Sequence, residues 1–235
     1  MKIILLTTNT YHHKYLIKEI NSQRDIELFI FLIQKKNERF YAKNNFEEKE
    51  IKFEKKKFFK NKKYYIKNKT FYFNNVNSKK CIKSIKQISP DLGILFGTKK
   101  VSLEIIKSFQ NNLINVHRGV MEKYRGLDSE YWALYKKDFS NLGSTIHYVN
   151  KHLDKGKIIY EKKLKIKKNF RCFQLRYHLT VLAVKYLIKL LVLIKKKKNI
   201  FTFKNQKIGQ YYSYIPKKLK KEACENLLMY ARRLK

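Results

Sequence analysis

Two side chains that can carry out acyl transfer stand two positions apart in residues 113–119, which read LINVHRG. In a strand alternate side chains share a face, so Asn115 and His117 point one way, while Ile114 and Val116 face a packing layer. An asparagine amide can donate to a developing oxyanion, and histidine exchanges a proton near neutral pH. The pair predicts a site where an amine attacks a carbonyl, although a lone histidine at a strand end is more often structural.

A carboxylate follows in residues 143–156, which read GSTIHYVNKHLDKG. Asp154 lies in a predicted loop between two strands, just before Gly156. A carboxylate at such a place can orient a histidine or hold a water that relays protons. Taken alone, an aspartate before a glycine is more often a plain turn residue, so its assignment depends on the residues around it.

The elements that must position these residues alternate between strands and helices, which predicts an α/β domain with a parallel unit. Strands are predicted at residues 3–7, 26–33, 92–96, 113–117, 144–149 and 158–166, and helices at 11–20, 77–88, 101–108, 130–135, 170–194 and 219–234. Residues 35–72 are charged and aromatic, and the pattern leaves a long solvated helix and a loop-rich insertion equally open. We expect one domain with a short C-terminal extension.

One apolar segment, residues 179–194, is long enough to raise the question of a membrane span. It is short for a span and carries Lys185 and Lys189, which are four residues apart and share one helix face. We therefore predict an amphipathic helix that packs on a core. Met1 and Lys2 run directly into a strand pattern, so no signal peptide is expected.

The three cysteines, Cys81, Cys172 and Cys224, are far apart and form no CxxC pair. This spacing argues against a disulfide framework and against a zinc site. We expect a reduced protein of the cytoplasm that binds no metal.

The formal net charge of +37 is extreme. It favours an anionic partner such as nucleic acid, a membrane surface or a phosphorylated substrate. Mutational bias explains it at least as well, because the abundant Lys, Asn, Ile, Phe and Tyr all have A/T-rich codons and because Lys outnumbers Arg. Nucleic acid is therefore the less favoured partner, and both explanations stay open.

The order of the motifs resembles the folate-dependent formyltransferase family. The resemblance rests on DLGILFG at 91–97, NVH at 115–117, YRG at 124–126, residues 143–149, and LDKGKII at 153–159. It is good over residues 90–160 and looser over the first strand and helix. Each piece is weak alone, but the ordered set is specific.

The resemblance implies a Rossmann-like catalytic domain, a mostly parallel sheet flanked by helices over residues 1–198, with residues 199–235 as an extension. It implies that 10-formyltetrahydrofolate is the co-substrate and that Asn115, His117 and Asp154 are the catalytic residues. The folate would contact Phe96, Gly97, Thr98, Lys99, Lys100, Val101 and Leu153. The acceptor would contact Arg118, Gly119, Tyr124, Arg125, Gly126 and Trp132.

The chain departs from the family pattern after His117, where Arg118 and Gly119 replace a proline and a small residue, and Lys155 stands where threonine is common. The first departure suggests a different acceptor pocket, with Arg118 near a phosphate. None of these changes removes the three proposed catalytic residues.

The resemblance implies one of three acceptors for the formyl group. Formylation of methionyl-tRNA goes with a sizeable C-terminal domain, for which the residues after the long helix are too few. Formylation of glycinamide ribonucleotide goes with a glycine-rich phosphate loop, whereas residues 7–13 here read TTNTYHH, without glycine.

A nucleotide-linked amino sugar of cell-surface polysaccharide synthesis is therefore the expected acceptor. Methionyl-tRNA or another amine is the alternative substrate, and a non-catalytic nucleic-acid-binding protein is the alternative of another class. A homodimer stays an option.

Overall fold

The computed structural model describes residues 1–34, 45–150, 156–196 and 209–234. The strands are β1 (Lys2–Thr7), β2 (Glu27–Ile33), β3 (Thr70–Phe73), β4 (Leu92–Leu95), β5 (Leu113–His117), β6 (Tyr124–Gly126), β7 (Gly143–Tyr148), β8 (Ile158–Lys163) and β9 (Gln210–Tyr212). The helices are α1 (Tyr11–Asn21), α2 (Asn45–Phe59), α3 (Lys79–Ile88), α4 (Leu103–Ser108), α5 (Ser129–Tyr135), α6 (Leu175–Lys195) and α7 (Lys217–Arg233).

Seven of the strands form one sheet in the order β3-β2-β1-β4-β5-β7-β8. The pairs from β3 to β5 are parallel, while β5–β7 and β7–β8 are antiparallel. Strands β6 and β9 form a separate parallel pair. The α/β, Rossmann-like fold with a mostly parallel sheet is confirmed.

Helices cover both faces of the sheet, which explains why the parallel strands are apolar along their whole length. On one face α1 and α6 pack against the sheet around Ile3, Ile30 and Ile114. On the other face α3 and α4 pack around Phe31 and Phe109. Alternate residues of each strand supply the two cores, so a polar side chain at a strand position must lie near a strand end or a cleft.

The long helix α6 begins at Leu175 rather than at residue 170, because residues 172–174 form a 3-10 turn. Its buried residues Ala183, Val184 and Leu187 pack on the sheet, as expected for a helix that packs on a core. Among the described residues, Cys172–Lys195 is the one helical stretch that is long and apolar enough to cross a membrane, judged by length and composition. In its most apolar 18 residues, 39% are buried inside the protein.

The undecided residues 35–72 contain both a helix and a strand. Helix α2 carries acidic residues in its first turn and lysines in its last turn, the arrangement that the helix dipole favours. Strand β3 then adds to the edge of the sheet beside β2. Residues 35–44 lie outside the described part of the chain.

A buried ionic network joins α2 to three other helices. The Arg176 guanidinium on α6 contacts Glu54 Oε1 at 2.6 Å and Glu50 Oε2 at 3.0 Å. Tyr131 on α5 donates its hydroxyl to Glu50 Oε1 at 2.8 Å, and His12 on α1 lies 3.4 Å from Glu54 Oε2. One cation therefore serves two buried carboxylates, which fixes α2 across the helices on this side of the molecule.

The C-terminal residues 209–234 pack on the same body rather than extending from it. Helix α7 packs on α5 through Ala223, Leu227 and Ala231. Cys172 and Cys224 form a disulfide that ties α7 to the turn before α6, with Cα atoms 5.3 Å apart. The expectation of no disulfide was wrong, because residues distant in sequence meet where the C-terminal helix returns. Cys81 is buried and unpaired.

Replacing Arg176 by methionine would leave Glu50 and Glu54 buried without their cation. We expect Arg176→Met to lower the free energy of unfolding by about 3–5 kcal/mol, because an unpaired buried charge is costly. Urea denaturation measures the change. Arg232→Met on exposed α7 is the matched control and should stay within about 0.5 kcal/mol. A loss below about 1 kcal/mol for Arg176→Met would show that the network does not hold the helices together.

Two adjacent histidines, His12 and His13, generate a prediction about pH. Burial is the main reason why both pKa values lie well below 6.5. The positive charge of Arg118 lowers the pKa of His12 further, and His12 lowers that of His13. Below pH 6.5 the unfolded chain therefore binds protons that the folded chain does not, so stability falls as pH falls and is fully present above that range.

We expect a slope of at most about 1.4 kcal/mol per pH unit for each histidine below pH 6.5. His13→Asn should remove the part of the slope that His13 contributes. Subtracting the free energy of unfolding of the variant from that of the parent chain at each pH cancels the contribution of the carboxyl groups. Identical pH profiles of unfolding for His13→Asn and the parent chain would contradict the assignment.

Candidate active site

The candidate site lies where β5 ends between β4 and β7. Asn115 is paired with Leu95 on β4 and with His147 on β7, and His117 is paired with Thr145. Ile114 and Val116 enter the core beneath α1 and α6. Asn115 and His117 therefore share the opposite face, as the alternation predicts.

The Asn115 carboxamide is oriented by His147 across the antiparallel pair. Asn115 Nδ2 lies 3.1 Å from His147 Nε2, and His147 Nδ1 lies 2.8 Å from the Tyr148 carbonyl oxygen. Because a carbonyl only accepts, Nδ1 carries the proton, and Nε2 accepts from the Asn115 amide. This bond sets which way the amide nitrogen and oxygen of Asn115 point.

His117 is held by the segment that follows it. Its Nε2 lies 3.2 Å from the Tyr124 carbonyl oxygen and 3.3 Å from Ser129 Oγ. A bond to a carbonyl requires a proton on Nε2, so the neutral ring carries its lone pair on Nδ1. Gly119 makes room for the ring, since a Cβ there would lie 2.5 Å from His117 Nε2.

The third proposed catalytic residue, Asp154, and the proposed folate contact Leu153 lie outside the described residues. The chain returns at Gly156, where a Cβ would clash with the Tyr148 carbonyl oxygen, and Tyr148 donates its N–H to Lys157 at 3.0 Å. The return point therefore lies beside His147, since a Cβ on Gly156 would be 3.3 Å from its Nδ1. The roles of Asp154 and Leu153 stay predictions.

The proposed folate segment, residues 96–101, begins at the carboxyl end of β4. Phe96 is buried and Gly97 has φ of +76°, which favours glycine. A Cβ on Gly97 would lie 2.4 Å from His13 Nε2, so the buried His13 ring lies against this turn. His13 Nε2 is a buried polar atom with no hydrogen-bond partner among the described residues. Thr98 is half-buried, Lys99 and Lys100 are exposed, and Val101 is buried.

A second segment fixes the far end of this turn. The Asn77 side chain donates to the Lys100 carbonyl at 3.1 Å and accepts from Ser102 N at 2.8 Å. Ser102 then caps α4 by accepting from Ile105 N. The backbone of residues 97–101 is thus held at both ends beside β5.

The residues predicted on the acceptor side divide into two groups. Arg118 is partly exposed, and its Nε lies 3.3 Å from the buried Glu130 carboxylate. Arg125 is buried and donates from Nε to the Gly209 carbonyl at 2.6 Å, and Trp132 Nε1 donates to the Ser213 carbonyl at 2.9 Å. Arg118 therefore stays partly exposed beside Glu130, whereas Arg125 and Trp132 contact the C-terminal segment.

Docking of that segment places aromatic rings beside the turn after His117. Strand β9 pairs with β6, and the ring planes of Tyr124 and Tyr212 stack with centroids 5.5 Å apart. Gly126 has φ of +93°, and a Cβ there would lie 2.7 Å from the ring of Tyr211, which is half exposed. The C-terminal extension therefore contributes part of the wall near the site.

Sequence reasoning gave no role to His147, Ser129 or His13. The sequence offers one signal for His147, a histidine at an inward position of a strand otherwise apolar, but only the register of β5 and β7 places it opposite Asn115. Among the described residues, no group of three or more His, Cys, Asp or Glu side chains could hold a metal ion.

Comparison with known sequences gives several partial matches. The bifunctional polymyxin resistance protein ArnA of Wigglesworthia glossinidia brevipalpis is 30% identical over 125 residues, which is 53% of this chain and 19% of that protein. Methionyl-tRNA formyltransferase of Thermodesulfovibrio yellowstonii is 29% identical over 126 residues, 53% of this chain and 40% of that one. Formyltetrahydrofolate deformylase of Escherichia coli strain K12 is 31% identical over 88 residues, 37% of this chain and 31% of that one. The chain thus spans less than half the length of each of these relatives.

Solved structures with the same fold include a 4-N formyltransferase from Francisella tularensis, with a TM-score of 0.62 and 18% identity over 96% of this chain and 87% of that one. Another is the formyltransferase PseJ from Anoxybacillus kamchatkensis, in complex with UDP-4,6-dideoxy-4-formamido-L-AltNAc and tetrahydrofolate. Its TM-score is 0.58, with 19% identity over 98% of this chain and 100% of that one.

The model of the formyl transferase family matches residues 1–191, well over half of the chain and including β5, β7 and the loop between β7 and β8. The chain belongs to the formyl transferase family.

Proposed function

We propose that this enzyme transfers a formyl group from 10-formyltetrahydrofolate to the amine of a nucleotide-linked amino sugar. One observation carries the proposal: Asn115, oriented by His147, and His117, oriented by Tyr124, share one face at the end of β5. An amide and an imidazole that are fixed in this way suit a reaction in which charge develops on a carbonyl oxygen.

Asn115 is the proposed oxyanion donor. When the amine attacks, negative charge moves onto the formyl oxygen, and an amide N–H at about 2.7–3.1 Å stabilises it. The bond from Asn115 to His147 involves the nitrogen end of the carboxamide, so it fixes the orientation of that end. One such donor is worth about 3–4 kcal/mol of barrier.

His117 is the proposed second donor and proton carrier. Its Nε2 proton is directed to the Tyr124 carbonyl, so protonation adds a proton at Nδ1. The protonated ring then presents Nδ1–H to the oxyanion. The transfer forms a bond from the acceptor nitrogen to the formyl carbon and breaks the bond from that carbon to the donor nitrogen. One proton must leave the acceptor amine and one must reach the donor nitrogen, and we assign Asp154 to support that movement.

The residues at 96–101 fit a folate. 10-Formyltetrahydrofolate supplies an electrophilic formyl carbon next to a flat, hydrogen-bonding ring system. The turn at Gly97 exposes its main chain and is anchored by Asn77, while the buried His13 Nε2 lacks a described partner beside it. Exposed backbone with fixed direction can bind such a ring by its edge. The solved structure of PseJ, which shares this fold, contains tetrahydrofolate, the donor without its formyl group, and this supports a folate at the site.

Three features support an amino sugar carried by a nucleotide. Arg118 lies at the end of β5 with a partly exposed guanidinium, which suits a phosphate. Tyr211 offers a half-exposed ring beside Gly126 for a sugar or base. The structural relatives include a 4-N formyltransferase and a complex with a UDP-linked formamido sugar.

Methionyl-tRNA or another amine is the competing acceptor, because methionyl-tRNA formyltransferases are among the sequence relatives. Membership of the formyl transferase family weighs against a non-catalytic nucleic-acid-binding protein, the alternative of another class. The division at residue 198, a homodimer and a cytoplasmic location stay predictions.

A transfer assay with 10-formyltetrahydrofolate tests the acceptor class. The panel contains UDP-, dTDP- and GDP-linked amino sugars, methionyl-tRNA, glycinamide ribonucleotide and water alone. We expect product from at least one nucleotide amino sugar and a fall in kcat of about 10²–10⁴-fold for His117→Ala. Tyr214→Phe, at an exposed ring of the C-terminal extension, is the control and should keep full activity. Turnover of methionyl-tRNA alone, or of water alone, would contradict the sugar proposal and leave the family intact.

His147 gives a second test, as a positioning residue for Asn115. His147→Phe removes the acceptor for the Asn115 amide, and we expect kcat to fall about tenfold to hundredfold with little change in the KM of the folate. His147→Gln keeps an oxygen acceptor at that end and should recover part of the loss. Unfolding by urea shows whether both variants are folded. Equal kcat for the Phe and Gln variants would remove His147 from the positioning of Asn115.

A further inference from the structure

A basic and aromatic surface runs along the segment between α2 and β3 and onto β3, the edge strand of the sheet, and the proposed reaction does not use it. We define the edge surface as Lys60, Lys62, Lys63, Tyr65, Lys67, Lys69 and Tyr72, all of them exposed. The sequence contains no Asp or Glu between Glu54 and Asp91. The edge surface is therefore positive throughout its length, so the excess of positive charge in the whole chain is also found in this one segment.

Strand β3 ends the sheet and pairs with β2 on one side. Phe71 and Phe73 turn inward and pack on Phe31, with ring centroids 5.1 Å and 4.9 Å away. Tyr72 alternates to the opposite face, where 62% of it is exposed, and Tyr65 is 71% exposed. Leaving two large rings in water forgoes the stabilisation that burial would give them, so their exposure calls for a physical reason.

The segment that carries these rings is held in place by its neighbours. Asn68 exchanges hydrogen bonds with Asn21 at 2.7 Å and 2.8 Å. Tyr64 stacks on Phe59 with centroids 5.1 Å apart, and the Lys69 carbonyl accepts from Ile30 N. Side chains between such anchors are displayed on a fixed backbone, which lowers the entropy lost on binding.

The geometry points to single-stranded nucleic acid as the partner of the edge surface. Lysines follow a phosphate backbone, and exposed aromatic rings stack on bases without reading their sequence. Tyr65 lies between Lys63 and Lys67, Tyr72 follows Lys69 by three residues, and the sequence between Glu54 and Asp91 has no carboxylate. Glu19 on α1 acts electrostatically on Tyr64, within the same segment.

The edge surface is separate from the candidate active site. Three strands, β2, β1 and β4, lie between β3 and β5 in the sheet. At about 4.8 Å per strand, β3 and β5 are about 19 Å apart. The β3 part of the edge surface is therefore remote from Asn115 and His117, and the inference does not depend on which amine is formylated.

An anionic membrane is the competing partner for any lysine-rich face. Binding in a membrane interface favours a wide apolar face with Trp, Phe or Leu. Within residues 60–73 the exposed large hydrophobic residues are the two tyrosines. Two exposed tyrosines, Tyr65 and Tyr72, on a lysine-rich surface fit a nucleic acid better than a lipid surface.

Fluorescence anisotropy with labelled oligo-dT and oligo-rU of about 15 nucleotides tests the inference on the full chain. Lys62→Glu/Lys63→Glu changes two charges on the edge surface. Lys217→Glu/Lys218→Glu changes the same two charges on exposed α7 and is the matched control. Tyr65→Ala/Tyr72→Ala leaves the charge unchanged, and urea unfolding verifies that each variant is folded.

We expect the Lys62/Lys63 pair to weaken binding by tenfold or more, the α7 pair by less than about threefold, and the tyrosine pair by about tenfold. The dependence of the logarithm of affinity on the logarithm of salt concentration should become shallower for the Lys62/Lys63 variant alone.

Equal losses for the two lysine pairs would show attraction by total charge and overturn the inference. An unchanged affinity for the tyrosine variant would overturn the stacking role and with it the choice of nucleic acid. Binding to vesicles that contain phosphatidylglycerol, without binding to the oligonucleotides, would assign the surface to lipid instead. Absence of any binding would overturn it outright.

Discussion

The hydrogen bond between Asn115 and His147 is the interaction on which the site depends, and it exists because β7 joins the sheet antiparallel to β5. A parallel sheet brings strand ends together, but it does not by itself fix the rotation of a side-chain amide. The antiparallel neighbour brings His147 opposite Asn115, and the Tyr148 carbonyl fixes the tautomer of that ring. The reversal in strand direction is thus what turns a strand-end asparagine into an oriented donor.

The surroundings of the site are held by contacts between distant parts of the chain. The Arg176 network draws α2 onto the side of the molecule where α1 and α5 lie. The C-terminal segment is held at Arg125, at Trp132 and by the disulfide to Cys172. Two residues that the resemblance places on the acceptor side, Arg125 and Trp132, thus also hold the extension in place. A change in that extension would reach the site through β6 and the Tyr124 carbonyl.

Outside residues 35–72, periodicity was sufficient for the helices and for the central strands, because each of those strands is a short apolar run, whereas the three-residue strands β6 and β9 were not predicted. The helix at Lys79–Ile88 begins after Ser78, whose hydroxyl accepts from Cys81 N, as the sequence indicates. The pair Asn115 and His117 followed from strand alternation alone. Residues 35–72 could not be assigned, since the buried Glu50 and Glu54 look like solvated charges until Arg176 is placed between them.

The sequence also did not predict the contact between Asn115 and His147 or the Cys172–Cys224 disulfide, for the same reason. Both are contacts across many residues, and one chain carries no local signal for a pairing register or for the return of a C-terminal helix. For Arg125 the motif predicted contact with the acceptor, and the fold adds burial and a hydrogen bond to the Gly209 carbonyl that no motif indicates. Motifs indicated where the chemistry lies, and long-range contacts determine how each group is oriented.

The most direct test is a crystal structure of the enzyme with a stable formyl-folate analogue and its acceptor, in which the distances from the formyl oxygen are measured. The account predicts that Asn115 Nδ2 and His117 Nδ1 each lie about 2.7–3.2 Å from that oxygen, with the Asn115–His147 bond kept. A formyl oxygen beyond about 4 Å from both atoms, or a His117 ring turned so that Nε2 faces the ligand, would contradict it.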